Sequence, residues 1–419
     1  MAEPTAAPAP GKIARLGAWI DERFPMTSLW KEHVSEYYAP KNFNFWYYFG
    51  SIALFVLVLQ IVTGIFLTMS YKPSATDAFG SVEYIMRDVE WGWLIRYLHS
   101  TGASAFFIVV YLHMFRALLY GSHRKPRELL WIFGVLIYLA LMAEAFFGYL
   151  LPWGNMSYWG AQVIVSLFGT FPLIGDFLIE WIRGDYFISD ITLNRFFALH
   201  VVALPLVLIF LVVAHVFALH EVGSNNPDGI EIKKTQGGDG HPLDGIPFHP
   251  YYTVKDIFGL SVFLVLFAAV VFFAPEMGGL FLEAPNFEPA NSLLTPEHIA
   301  PVWYFTPYYA ILRAVPAFLD TQIWGVLALF AAVLLLFFVP WLDRSPVKSI
   351  RYRGPIYKVA LMVFAADFVL LGYCGLKPAV APYTTLSVVG TVIYFAFFLA
   401  MPWYSRIDSH KLEPSRVTP

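Results

Sequence analysis

RYLHSTGASAFFIVVYLHMFRALLY, residues 96–120, and FFALHVVALPLVLIFLVVAHVFALH, residues 196–220, decide how this chain is read. Each is an apolar run long enough to cross a bilayer, whose hydrocarbon core takes about 20 residues of helix. Each also carries two histidines, His99 with His113 and His200 with His215. An imidazole inside an apolar span is costly and marks function before structure. The two intervals are 14 and 15 residues. At about 100° per residue, 14 positions end about 40° short of whole turns and 15 end about 60° beyond. Each pair therefore sits on one helix face, with its members about 21–22 Å apart along the axis.

The composition agrees with a membrane chain. Hydrophobic residues make up 58% of the 419 and charged residues 14%, against about 45–50% and about 25% in soluble domains. A single cysteine, Cys374, excludes a thiolate cluster, a CxxCH haem attachment and an internal disulfide. A net charge of −3 gives no electrostatic footprint for nucleic acid. Eight apolar segments lie near 45–70, 96–120, 129–150, 196–220, 257–275, 322–341, 358–376 and 384–403. The expected fold is all-α, an integral membrane bundle of eight transmembrane helices surrounded by lipid.

Loop charges orient the bundle. Arg124, Lys125 and Arg127 follow the second span, Lys233 and Lys234 the fourth, and Arg344, Lys348, Arg351, Arg353 and Lys358 the sixth. The opposite loop, 276–300, holds Glu276, Glu283, Glu288 and Glu297 and no lysine or arginine. Both termini are thus expected on the cytoplasmic side. Residues 1–40 read as an N-terminal segment, with an Ala/Pro-rich disordered start and an amphipathic stretch over 12–37. Residues 41–225 form a four-helix core, 226–256 a cytoplasmic loop, 257–404 a C-terminal four-helix part and 405–419 a cytoplasmic tail. The stretch 161–182, broken by Gly169, Pro172 and Gly175, reads as a helical hairpin on the outer surface.

The second and fourth spans run in the same direction, so His99 pairs with His200 at the outer level and His113 with His215 at the inner level. Zinc calls for three or four ligands, whereas a haem iron takes two axial imidazoles. Two stacked pairs therefore point to a four-helix dihaem core. Gly50 and Gly64 in the first span, and Gly134 and Gly148 in the third, repeat the interval of 14. A glycine inside a helix costs roughly 1 kcal/mol against alanine, and close approach of the backbone to a flat macrocycle is one use that offsets it. Ordinary small-residue packing between helices is the other. Arg96, Arg116 and Arg195 flank the histidines and suit haem propionates; Arg116 equally suits a positive-inside anchor.

At RDVEWGWLIRYLHSTGAS (87–104), GYLLPWGNMSYWGAQVI (148–164), HEVGSNNPDG (220–229) and IPFHPYYTVKD (246–256), the chain resembles cytochrome b of the ubiquinol–cytochrome c oxidoreductase, respiratory complex III. The resemblance runs from about 40 to 403 and is to the single-chain bacterial respiratory form. It implies two haem b groups, a low-potential outer one on His99 and His200 and a high-potential inner one on His113 and His215. It also implies bifurcated ubiquinol oxidation at an outer site, quinone reduction at an inner site, and a contribution to a proton gradient across the bacterial inner membrane. The implied partners are a Rieske-type iron–sulfur subunit, a cytochrome c-type subunit and a second copy of the complex. Phe147, Gly148, Tyr149, Pro301 and Tyr304 match the family's outer quinol site. His220, Lys255 and Asp256, at the inner ends of the fourth and fifth spans, form a proton-delivery set for the inner site, and Ser51 matches a family position beside it.

Two departures from the family stand out. Respiratory members usually space the fourth-span histidines by 14, and the interval here is 15, so local winding is expected to differ. The family's Pro-Glu-Trp-Tyr motif reads Pro301-Val302-Trp303-Tyr304. Val302 cannot accept a proton, which puts forward Glu144, one turn before Gly148, as a replacement carboxylate, with Glu297 the weaker choice. A dihaem anchor subunit of a dehydrogenase would show fewer spans, and a transporter would show repeats and broken helices.

Overall fold

The computed structural model describes residues 11–31, 36–318 and 321–418; the expected disordered start, 1–10, lies outside them. The amphipathic stretch forms α1 (Lys12–Asp21) and α2 (Met26–Trp30). Ile13, Leu16 and Trp19 of α1 are exposed. Strand β1 (Tyr38–Pro40) pairs antiparallel with β2 (Gly245–Pro247). This small ribbon ties the N-terminal segment to the loop after the fourth span.

The helices that follow are α3 (Tyr48–Thr68), α4 (Ala78–Arg87), α5 (Gly92–Tyr120), α6 (Glu128–Leu150), α7 (Asn155–Ser166), α8 (Gly175–Arg183), α9 (Asp190–Ala198) and α10 (Leu204–Val222). A five-residue π turn, Leu199–Ala203, joins α9 to α10. The C-terminal part holds α11 (Tyr251–Phe273), α12 (Thr306–Ala314), α13 (Ile323–Leu334), α14 (Val339–Leu342), α15 (Pro355–Gly375), α16 (Tyr383–Leu399) and α17 (Met401–Ile407). Among the described residues, seven helical stretches are long and apolar enough to cross a membrane. The bent pair α16–α17, which turns by 60°, makes eight if taken as one span. The chain is an integral membrane protein of helical-bundle class. The fifth span begins at Tyr251 rather than near 257, so Lys255 and Asp256 lie in its opening turns.

α3 packs on α5 and α6 on α10, which makes the N-terminal four-helix group. α12, α15 and α16 form a second group against it. Their shared core includes Phe107, Tyr138, Val302, Tyr304, Ile311 and Tyr394. The expected surface hairpin is α7 with α8. It rests on a separate apolar cluster around Leu150, Trp153, Tyr158 and Phe196.

The loops rich in lysine and arginine are held by buried acids that balance their cations. Asp343 accepts from Arg353 (3.1 Å) and lies 2.9 Å from His123 Nε2. Burial pushes its carboxyl up, but Arg353 and then His123 outweigh that and hold it below the usual carboxylate range. Glu231 takes a two-pronged contact from Arg127 (2.7 and 2.9 Å) and a third from Lys348. Asp228 binds Arg351 (2.9 Å) and Tyr352 (2.8 Å), and Asp244 binds Arg416 (2.8 Å) and Lys41 (3.0 Å).

Candidate functional site

The four histidines meet as two pairs. The rings of His99 and His200 have centroids 6.1 Å apart, and those of His113 and His215 6.4 Å apart. With metal–nitrogen bonds of about 2 Å on either side, two imidazoles sharing one ion hold their centroids about 6 Å apart. Among the described residues, no group of three or more His, Cys, Asp or Glu is placed to hold a metal ion. Each pair has the spacing of two imidazoles that share one ion.

The extra residue of the second pair is taken up by the π turn, which contains His200 itself. A π turn inserts one residue into an α-helix. The effective interval from His200 to His215 becomes 14, which restores the same angle of about 40° short that His99 and His113 have. The winding difference expected from the sequence is thus the device that brings the two helices into register.

The four glycines face the histidines in the same order. A Cβ on Gly64 would sit 3.3 Å from Cε1 of His99, and one on Gly50 3.3 Å from Cε1 of His113. On the other side, Gly134 would meet His215 at 3.4 Å and Gly148 would meet His200 at 2.4 Å. The close approach that these glycines permit here is to the imidazole ring, which backs onto the neighbouring helix. Nδ1 of His99 lies 3.0 Å from Thr63 Oγ1, and Nδ1 of His200 lies 2.9 Å from the Glu144 carbonyl. A ring whose Nδ1–H is engaged this way keeps Nε2 free to bind metal.

Between the outer pair opens a mostly apolar cavity of about 450 Å³, within the usual size of about 300–1,000 Å³ for ligand sites. Gly64, Arg96, His99, Gly148 and His200 line it together with Glu144, Tyr149, Val302 and Tyr304. Val302 is buried, so the motif's second position is an apolar wall. The motif is locked to α5: Tyr304 stacks on Phe107 at 3.9 Å, Tyr111 donates to the Tyr304 carbonyl (2.6 Å), and Trp303 Nε1–H donates to Ser104 (3.1 Å). The loop before it is pinned to the start of α7, where Asn155 N–H donates to the Glu288 carbonyl (2.8 Å) and Ser157 N–H to Asn286 Oδ1 (2.9 Å). Tyr149 O–H donates to Glu283 Oε2 at 3.0 Å, a contact that sequence reasoning missed.

The flanking cations divide. Arg96 lines the cavity. Arg116 lies 3.4 Å from His113 Nδ1 and over the Tyr47 ring at 4.7 Å, and its Nε is buried with no protein partner. The structure places Arg195 elsewhere: it is exposed and donates to the Trp181 carbonyl at 2.6 Å, on the outer hairpin. At the inner end, the Ser51 hydroxyl, which donates to the Tyr48 carbonyl (2.9 Å), also faces Asp256. His220 stacks on Tyr37 at 4.5 Å, and Lys255 lies 4.4 Å over the Tyr251 ring. Pro301 sits at the half-buried entry to the motif.

Residues 34–223 match the family described as Cytochrome b/b6/petB, and residues 289–395 match Cytochrome b(C-terminal)/b6/petD. A cytochrome b of Allochromatium vinosum is 65% identical over 405 residues, covering 96% of this chain and 98% of the relative. One from Rhodospirillum rubrum is 51% identical over 392 residues, covering 93% of each. A solved structure titled Hyperthermophilic respiratory Complex III superposes with a TM-score of 0.84 at 40% identity, covering 93% of this chain and 98% of that one. The chain belongs to the cytochrome b family, as the integral-membrane, electron-transfer subunit of a bacterial respiratory complex III.

Proposed function

We propose that this chain carries two haem b groups and performs bifurcated ubiquinol oxidation outside and quinone reduction inside. The observation that carries this reading is the pair of imidazole pairs at 6.1 and 6.4 Å, each backed by glycine on both sides. His99 and His200 would hold the outer haem, and His113 and His215 the inner one. Arg96 and the partnerless Nε of Arg116 suit their propionates. When bound, each haem supplies a one-electron carrier at its depth in the membrane.

The chain's own side chains do the rest. Tyr149, Pro301 and Tyr304 shape the outer quinol pocket, and Val302 keeps water off its wall. Glu144 stands on the same cavity with Oε2 buried and partnerless, and we assign it one of the quinol's protons. At the inner face, Ser51, His220, Lys255 and Asp256 orient a quinone and deliver protons to it. The partners are a Rieske-type iron–sulfur subunit, a cytochrome c-type subunit and a second copy of the complex. The setting is the bacterial inner membrane, with both termini cytoplasmic. The loops that carry Arg124, Lys125, Arg344 and Lys348 support that orientation.

A redox-titrated optical difference spectrum of the purified complex, with haem quantified per polypeptide, tests the reading. Two b-type centres with distinct midpoints are expected. One centre or none would overturn it.

A further inference from the structure

Ubiquinol oxidation releases two protons, and the oxygen Oε1 of Glu144 is already directed to His200 Nδ1 at 3.1 Å. A second acceptor stands beside the cavity. Tyr149, in the last turn of α6, lines the cavity beside Val302 and Tyr304. Its hydroxyl donates at 3.0 Å to Glu283, which directly follows the lining residues Phe281 and Leu282. Glu283 is half-buried, while the next residue, Ala284, is exposed. The carboxyl thus links a cavity-lining side chain to the exposed stretch of the loop.

We propose that Glu283, acting through Tyr149, accepts a proton from quinol in the outer site and passes it to the outer aqueous side, in place of the carboxylate missing at Val302. This rests on the quinol-oxidation reading above. In the step, the quinol O–H bond breaks as its proton moves to the Tyr149 oxygen. The Tyr149 proton moves at the same time to the Glu283 carboxylate. Tyr149 is left neutral and Glu283 uncharged, and the electrons of the quinol take no part in this transfer. Tyr149 touches the substrate; Glu283 is a positioning residue that acts through it.

The surroundings suit an acceptor that works near neutrality. Tyr149 from α6 and Tyr304 from the turn before α12 are the titratable groups that face Glu283, and its own backbone N–H also contributes. Among the described residues, none of the ion pairs includes it. Burial pushes its carboxyl up to about 7, against the Tyr149 hydrogen bond. Acceptance requires the ionised form, so the rate should climb as pH rises through that value.

The test uses the whole complex in native membranes. It compares the parent with Glu283→Gln, Glu283→Asp and Tyr149→Phe, and follows quinol oxidation against pH, haem content, and quinone reduction at the inner site with the outer site blocked. Glu283→Gln and Tyr149→Phe should each lower outer-site turnover by about 100-fold above neutrality and flatten the pH profile. Glu283→Asp should keep the rise with pH. Haem content and the inner-site reaction should stay at the parental level. A parental pH profile in Glu283→Gln overturns the proposal. If that variant does not assemble, a parental profile in Tyr149→Phe overturns it instead. Failure of the underlying reading shows separately, as a parent complex without quinol oxidation.

Discussion

Glu144 contacts the imidazole of His200 twice, with its backbone carbonyl at 2.9 Å and its carboxylate Oε1 at 3.1 Å, both from Nδ1. The main-chain contact fixes the ring's orientation and tautomer. The side-chain contact bears on how strongly the ring donates to a metal, because a carboxylate on Nδ1–H raises ligand basicity. Glu144→Gln keeps the first contact and weakens the second. The outer haem should therefore remain bound, with a midpoint shifted upward while the inner midpoint is unchanged. Potentiometric titration of the two b-type bands checks this; coincident curves for variant and parent would remove the carboxylate from the ligand's shell.

The glycines predict a graded series. At Gly148 an added methyl would lie 2.4 Å from the His200 ring, too close for any adjustment short of moving the ligand. At Gly134 the matching distance to His215 is 3.4 Å, which is ordinary tight contact. Gly148→Ala should lose the outer b-type spectrum, and Gly134→Ala should retain both with a small loss of stability. Equal haem loss in the two variants would contradict the asymmetry.

Val302 offers a rescue experiment. It is buried on the cavity wall, where the family motif has glutamate. Val302→Glu, placed in the Glu283→Gln background, should recover at least about tenfold of the lost turnover if it restores an acceptor. Steady-state quinol oxidation by the double variant decides. No recovery, in complexes with full haem content, would mean that a carboxylate at 302 cannot serve in this chain.

The C-terminal tail should release in acid. Arg416 binds Asp244 at 2.8 and 2.9 Å, and Val417 N–H also donates to it (3.1 Å). Arg416, and then Lys41 against burial, holds the Asp244 carboxyl down at about 2. An unfolded aspartate titrates near about 3.9. The folded value is the lower one, so the stabilisation is fully present above about pH 4 and is lost as pH falls toward about 2. Arg416→Ala should loosen the tail at neutral pH as acid does in the parent. Limited proteolysis of the last residues in sealed, oriented vesicles reads both effects.

The bundle and its histidine pairs were legible from sequence because apolar length and helical interval are one-dimensional properties. His99, His113, His200 and His215 announced themselves by sitting in apolar runs at nearly equal spacing, and the structure pairs them as the parallel spans require. The glycine interval was equally readable, but not what each glycine touches. That depends on helix rotation, and the rings turned out to be the close neighbours. Arg195 shows the limit of proximity in sequence: five residues from His200, it is turned to the outer hairpin by its bond to Trp181. Glu283 was read as one of four acids in an outer loop. Its partner Tyr149 is 134 residues away, and only the folding of that loop onto α7 brings the two together. Asp228, Glu231 and Asp244 were passed over for the same reason, since their cations lie on distant loops.

The π turn at Leu199–Ala203 has one more effect. Above it, α9 anchors the surface hairpin, where Thr192 Oγ1 donates to the Arg183 carbonyl at 2.8 Å. Below it, α10 keeps the His215 ring against that of His113. In a regular helix these two duties would be geared together, since one residue more or less rotates everything beyond it by about 100°. The widened turn ungears them. The hairpin's bearing on the surface and the bearing of His215 can each be set without disturbing the other, and a change of chain length above the turn need not be felt at the inner histidine pair.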